Sequence, residues 1–350
     1  MTYIGGLHEL GGEHLMLQVG APGHIMMTVN VWETEALDFR PLVLQGFKII
    51  VRLNNGYKPA GTIPRFGEYL PFAERCAYVV SVSKGCHIWQ IGNEMNHEVE
   101  RPDGEVITPE NYAQCYTFVK ALCEIQLGHE ADEFLVGAVA PYNNETFYEG
   151  NETGDWIVYF EDIVRAIEQY GAGVGGFAFH CYSRSQNPDD VSKPIYMESP
   201  FNGYQSGFKA YIDFANAVPE HLRYLGFYIS ETNPGAARKP DEDGWDNEDT
   251  GWCTAAMREI QSWNKSCPEQ PCRALVYYRW PVIDKWWMDG KTALYPDLVR
   301  AFAMKVSVAD EEDPTMIEIG RDDFNGEYPK RDDPYENEYQ LSELEVAIGG

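Results

Sequence analysis

Apolar strand-like runs and amphipathic helix-like runs alternate along the first 306 residues with a regularity that few folds accommodate. Strand patterns fall at 3–7, 24–31, 47–53, 87–92, 134–140, 175–181, 225–230 and 274–280. Helix patterns fall between and after them, at 13–19, 37–45, 64–83, 108–127, 156–170, 207–217, 252–264 and 295–306. In the third of these, Leu70, Ala73, Ala77 and Val80 recur at helical spacing, and Thr108-Pro109-Glu110 supplies the fourth with an N-cap, a first-turn proline and a first-turn acid. Most of the strand patterns are apolar on both faces, as in a parallel sheet covered by helices. Eight strands alternating with eight helices predict a (β/α)8 TIM barrel over residues 1–306. A doubly wound open sheet is the competitor, but it needs a glycine-rich phosphate turn after its first strand, and Gly5-Gly6 and Gly11-Gly12 are too loosely placed to form one.

The connections give the barrel a polarity. Those after strands four to eight are long and rich in Asn, Asp, Gly, Tyr and Trp, whereas helix-to-strand links such as Lys84-Gly85-Cys86 are short. A functional site is therefore expected at the C-terminal ends of the strands. Residues 307–350 differ in kind, with fourteen Asp or Glu against three Lys or Arg, and predict an acidic extension packed on the barrel or partly disordered. They contain no twelve-residue loop with calcium-ligand spacing.

The formal net charge of −28 argues against binding nucleic acid or an anionic membrane through a basic surface. No apolar run reaches membrane-spanning length, and no charged segment followed by an apolar one opens the chain. A soluble protein, or a domain excised from a larger or secreted one, is expected. The eight cysteines form no CxxC or Cys/His zinc pattern; Cys267 and Cys272 bracket a loop that a small disulfide would close, and the other six read as buried thiols.

Two strand patterns end on a glutamate inside a polar cluster: Gly92-Asn93-Glu94 after strand four and Ser230-Glu231-Thr232-Asn233 after strand seven. In a closed eight-stranded barrel these ends face one another across the mouth. Glycoside hydrolysis uses two carboxyl groups across one sugar, about 5–5.5 Å apart when configuration is retained. Carboxylates that close resist being ionised together and titrate as a dyad, so one needs donors and the other drier surroundings. Donor candidates near Glu231 are His180 and Tyr182, on one face of strand six, and Arg52 ending strand three. For the first two the alternative is packing in the barrel mouth; for Arg52 it is a structural ion pair.

Gly92-Asn93-Glu94 on strand four and Ser230-Glu231 on strand seven resemble the signature of the clan A glycoside hydrolases, retaining (β/α)8 enzymes such as cellulases, mannanases and xylosidases. The resemblance covers residues 1 to about 306. It implies that Glu94 is the acid/base, that Glu231 is the nucleophile and that Asn93 binds the sugar 2-hydroxyl. It favours a site role for His180 and Tyr182. It also implies that Trp280, ending strand eight, is the aromatic floor under the attacked sugar. Arg52 departs from the pattern, since the clan's arginine usually comes from strand two.

Further rim candidates are Trp286 and Trp287, Trp32, Tyr142 and Trp245 as stacking surfaces, and His8, Glu9, Asn54 and Asn55 as hydroxyl ligands. The chain lacks the His-x-His of metal-dependent barrel hydrolases, a Gly-x-Ser-x-Gly elbow and a P-loop, so neither metal nor cofactor is expected. The leading expectation is a retaining O-glycosidase with a carbohydrate substrate. The rival is an inactive carbohydrate-binding or structural barrel of a cell-surface or phage assembly. Sugar identity, endo or exo cleavage and oligomeric state are not encoded legibly.

Overall fold

In a computed structural model, residues 2–126, 128–235 and 244–306 are described here. The elements of the first half are β1 (Gly5–His8), α1 (Glu13–Leu17), β2 (His24–Asn30), α2 (Arg40–Val43), β3 (Lys48–Asn54), α3 (Tyr69–Val82), β4 (Ile88–Ile91) and α4 (Pro109–Ala121). The second half contributes β5 (Glu133–Val136), α5 (Trp156–Tyr170), β6 (Ala178–Tyr182), α6 (Asp189–Ser192), α7 (Ala210–Ala217), β7 (Phe227–Asn233), α8 (Trp252–Ser266), β8 (Cys272–Tyr277) and α9 (Tyr295–Phe302). Every strand pairing is parallel, in the order β5-β4-β3-β2-β1-β8-β7-β6, and a bridge between Val136 and Phe177 brings the two outer strands together. The expected (β/α)8 barrel is the fold observed.

Local chemistry fixes several helix ends, and at Thr108 it does so as the sequence predicts. Thr108 Oγ1 accepts from Asn111 N at 3.3 Å to cap α4. Asp155 caps α5 through Ile157 N and Val158 N, and Gly171 closes it at φ 74°. Helix α3 starts five residues later than expected, at Tyr69, because Gly67 takes φ 92° just before it. The cysteine expectation needs correction: Cys267 and Cys272 are both free thiols, the second buried at the start of β8. Residues 307–350, expected as the acidic extension, lie outside the described residues. Among the described residues no helix is long and apolar enough to cross a membrane.

Alternation along the strands sorts side chains between the interior and the helix layer. Met26, Ile50, Ile88, Leu135, Ala178, Tyr228, Ala274 and Val276, drawn from β2 through β8, form one buried cluster filling the barrel. Phe177, Phe179 and Phe227 face outward instead, and Phe179 stacks on both Phe214 of α7 and Phe227. Strand β7 then breaks the pattern. Phe179 pairs with Ile229, yet the next residue of β6, His180, pairs with Glu231. The pairing with β8 shifts over the same stretch, from Leu275 opposite Ile229 to Tyr277 opposite Thr232. One extra residue is therefore bulged into β7. Regular alternation would put Glu231 on the outward face with Phe227 and Ile229; the bulge turns it inward, beside His180.

The seam between β5 and β6 is the barrel's thinnest. Its backbone link is Val136 N to Gly176 O at 2.9 Å. Two tyrosines of α4 reinforce this side: Tyr116 OH donates to Phe134 O at 2.6 Å and accepts from Gly175 N at 3.1 Å. Tyr112 OH donates to Ile91 O at 2.9 Å and accepts from Gly137 N at 2.6 Å. A Cβ at Gly175 would stand 2.7 Å from the backbone of Phe134, so the two strands meet there only through glycine. Tyr116→Phe, which leaves the buried Phe134 O and the half-buried Gly175 N without their partner, is expected to destabilise the chain by about 1–3 kcal/mol. The midpoint of reversible urea unfolding reads this directly, and a midpoint equal to wild type refutes the stapling role.

Candidate active site

At the C-terminal ends of the strands lies a cleft of about 740 Å³, lined by residues that include Arg52, Asn93, Glu94, Tyr182, Glu231, Tyr278 and Trp286. Glu231 is the deeper carboxylate, its side chain 8 % exposed. Arg52 Nη2 donates to Glu231 Oε1 at 2.7 Å, and the Tyr182 hydroxyl donates to Oε2 at 2.9 Å. His180 Nε2 and His8 Nε2 stand 3.8 and 3.7 Å from Oε1. Burial alone would raise the Glu231 pKa, but His180, Arg52 and His8 outweigh it and hold the group down at about 2. Burial pushes His8 itself toward its neutral form, so Arg52 is the permanent counter-charge.

Glu94 approaches from the opposite wall, its side chain 16 % exposed. Its backbone takes φ 42°, uncommon for a residue with a Cβ, and Glu94 N donates to Ala138 O at 2.8 Å. The turn is fixed from both sides. Thr62 Oγ1 donates to Asn93 O at 2.6 Å, and Asn96 exchanges two hydrogen bonds with the backbone of Ala140. His180 Nδ1 lies 2.6 Å from Glu94 Oε1, so one imidazole touches both carboxyl groups. The Tyr182 hydroxyl, 3.1 Å from the same nitrogen, completes the link. One carboxylate is thus clamped at both oxygens, while the other is anchored at one and faces the cleft.

Most of the expected residues converge. Arg52, Asn93, Glu94, His180, Tyr182, Glu231 and Trp286 meet at or beside the cleft, and Tyr142 lines it too. Arg52 reaches Glu231 from β3, so its place on an unexpected strand does not keep it from the carboxylate.

Two expected ligands are not brought there. Trp280 is 3 % exposed, stacked on Tyr295 and edge-on to His14, with Gly11 and Gly12 against its ring. Strand β8 ends at Tyr277, three residues before the tryptophan, and Tyr278 is the aromatic of that segment that lines the cleft. Asn54 is 1 % exposed at the end of β3 and does not line the cleft.

Among the weaker rim candidates, Trp245 is buried and donates from Nε1 to Tyr278 O at 2.7 Å. Asn55 spends its amide on Ala60 O, Gly61 O and Trp32 Nε1. Glu9 pairs with His8 and with Arg279. The sequence reading missed Tyr57, His97, Glu100, Asn143, Arg184, Tyr278 and Asp284, all of which line the cleft from loops. Polar residues in loops carry no periodic signal by which to separate them from solvated ones. Among the described residues no group of three or more His, Cys, Asp or Glu is disposed to hold a metal ion.

No protein-family model matches the chain, and no curated protein matches it. Solved structures do. A 4-O-α-L-rhamnosyl-β-D-glucuronidase from Fusarium oxysporum is 10 % identical with a TM-score of 0.52, covering 86 % of this chain and 69 % of that one. A modular endo-β-1,4-mannanase of glycoside hydrolase family 26 from Cellulomonas fimi is 12 % identical with a TM-score of 0.52, covering 87 % of this chain and 71 % of that one. A family 39 glycoside hydrolase from the gut symbiont Bacteroides cellulosilyticus is 13 % identical with a TM-score of 0.48 over 80 % of this chain; this chain spans 56 % of that enzyme's length. At such identities the likeness is one of architecture. The chain has the (β/α)8 fold of the clan A glycoside hydrolases.

Proposed function

We propose that the cleft hydrolyses an O-glycosidic bond of an oligo- or polysaccharide by retaining double displacement. The carboxylate of Glu231 attacks the anomeric carbon as the bond to the leaving oxygen breaks, and Glu94 delivers its proton to that oxygen. Glu94, now a carboxylate, takes a proton from water as that water attacks the same carbon and releases Glu231 from the glycosyl ester. The observation carrying this reading is the unequal pair: Glu231 buried, ionised and clamped at both oxygens, and Glu94 linked to it through His180 with its second oxygen free to serve the leaving group. An inverting enzyme would need its base to hold a water across a gap of about 6.5–9.5 Å, which a carboxylate filled by fixed protein donors is ill suited to do.

In this reading Asn93 binds the sugar 2-hydroxyl, and Tyr278, Trp286 and Tyr142 offer ring faces to the substrate. The deciding experiment is a panel of aryl glycosides and polysaccharides, with the first-formed anomer of any product followed by proton NMR. Retained configuration is expected. An inverted first product would refute double displacement, while sugar binding without bond cleavage over long incubation would identify an inactive barrel.

A further inference from the structure

Three lysine or arginine side chains line the cleft: Arg52, Arg184 and Lys285. Arg52 is committed to Glu231. Arg184 and Lys285 pair with no carboxylate among the described residues, in a chain with 55 Asp or Glu against 27 Lys or Arg. Arg184 is exposed but held in place. Its Nε and Nη2 donate to Ser206 O and, at 3.0 Å, to Ser206 Oγ, while its guanidinium carbon lies 4.2 Å from the centre of the Tyr142 ring. The Tyr142 hydroxyl donates to Gly207 O at 2.6 Å, so ring and guanidinium are fixed to the same turn. That leaves Nη1 without a hydrogen-bond partner among the described residues.

The placement ties Arg184 to the reacting pair. His180, Tyr182 and Arg184 follow at two-residue spacing where β6 runs into its loop. The first touches Glu94 and the second Glu231, so Arg184 is the next residue outward along the same cleft. Lys285, in the loop after β8, is exposed, with its ammonium 5.4 Å from the centre of the Trp286 ring. The two loops meet at Gly244, whose carbonyl accepts from Gln186 Nε2 at 3.4 Å and whose N donates to Lys285 O at 2.7 Å. Both cations thus stand beside aromatic rings on adjoining parts of one rim.

We propose that the cleft takes an acidic glycan, and that Arg184, with Lys285 beside it, binds the carboxylate or sulfate group of one of its sugars. A neutral sugar offers only hydroxyls, which uncharged side chains serve; a fixed guanidinium suits the oxygens of an anion. The neighbouring acids do not compete for these cations. Asp284 Oδ2 accepts from the Tyr278 hydroxyl at 2.9 Å and from Arg279 Nη1 at 3.1 Å, and its Oδ1 accepts from Trp286 N at 2.8 Å. Glu231 is held by Arg52 and Tyr182, and Glu94 by His180. Burial raises the pKa of Glu100 to about 7, so in mild acid it is largely neutral and repels no anion.

The inference rests on the cleft being a sugar site, and its test is kept apart from turnover. Glucuronate, galacturonate and glucose 6-sulfate are titrated into the full wild-type chain at about pH 5.5, beside glucose, galactose and the methyl ester of glucuronate. Ligand-observed NMR gives the affinities, and none of these sugars has a glycosidic bond to cleave. At least one acid should bind about 10-fold or more tighter than its neutral parent, and glucuronate tighter than its ester if the anion is a carboxylate. Arg184→Gln should bring that ratio to within about 3-fold. Arg184→Lys, which keeps the charge but not the planar fork, should retain part of it, and Lys285→Ala should lower it about 2- to 5-fold.

A larger ratio for glucose 6-sulfate than for either uronate identifies the anion as a sulfate ester, and the reverse identifies a carboxylate; both uphold the site. Equal binding of acidic and neutral sugars, or a preference that Arg184→Gln leaves untouched, overturns the inference while the sugar site stands. Failure to bind any of these sugars overturns it as well. Acids held through Arg184 by a chain that cleaves no glycoside, acidic or neutral, would leave the anion site standing and refute the glycosidase reading.

Discussion

Glu231→Gln will lower kcat on the best aryl glycoside by about three to five orders of magnitude, because the amide cannot form the glycosyl ester. The Gln side chain keeps an acceptor for Arg52 Nη2, so the barrel itself should remain folded. A circular dichroism spectrum and a melting curve check that point, since a buried guanidinium without its carboxylate weakens the fold. A smaller side chain sharpens the test: with Glu231→Gly, added azide should occupy the vacated space and yield a glycosyl azide of inverted configuration. Full hydrolysis by Glu231→Gln of a substrate the wild type cleaves would remove Glu231 from the chemistry.

The second large effect separates the two carboxyl groups. Glu94→Ala should leave the attack of Glu231 intact but remove the proton for the leaving oxygen and the base for the incoming water. For a dinitrophenyl glycoside, whose leaving group needs no proton, the first step should proceed at close to the wild-type rate and the glycosyl-enzyme should accumulate. For a substrate with a sugar leaving group, kcat/KM should fall by about 10³-fold or more. Azide, which needs no base, should then speed turnover and give a product of retained configuration. A uniform loss across all leaving groups, with no azide effect, would show that Glu94 serves structure and not proton transfer.

The fold was legible because it is written in a count. Eight apolar runs, each followed by a helical run, survive errors of several residues at any one boundary, and the barrel follows from the number of runs. The short segments were less legible. Helix α6 falls in the 182–207 stretch that the pattern reads as a loop, because four residues carry no helical period.

Glu94 and Glu231 could be placed for a related reason, since strand ends are marked by composition. The orientation of Glu231 was not written in the same way. A period-two reading of Phe227-Tyr228-Ile229-Ser230-Glu231 sends the glutamate to the helix layer, and only the pairing with β6 and β8 reveals the bulge that reverses this. Trp280 misled for the opposite reason. An aromatic near the end of a strand looks like a platform, yet its position depends on where β8 stops, and that is set by neighbours, not by its own sequence. Glu100 went unread because a lone acid in a polar loop is ordinarily a solvated charge.

The thin seam between β5 and β6 has a counterpart on the other side of the ring. Thr2 and Val306 pair antiparallel, exchanging backbone hydrogen bonds of 3.0 and 2.9 Å. The order in which the chain visits the barrel is therefore nearly circular, with its two described extremes already in contact. Linking position 306 to position 2 and opening the chain between β5 and β6 would break few backbone bonds while reordering every element. The barrel is in that sense a ring of interchangeable starting points, and the place where it is stapled by side chains is the place where it can best be cut.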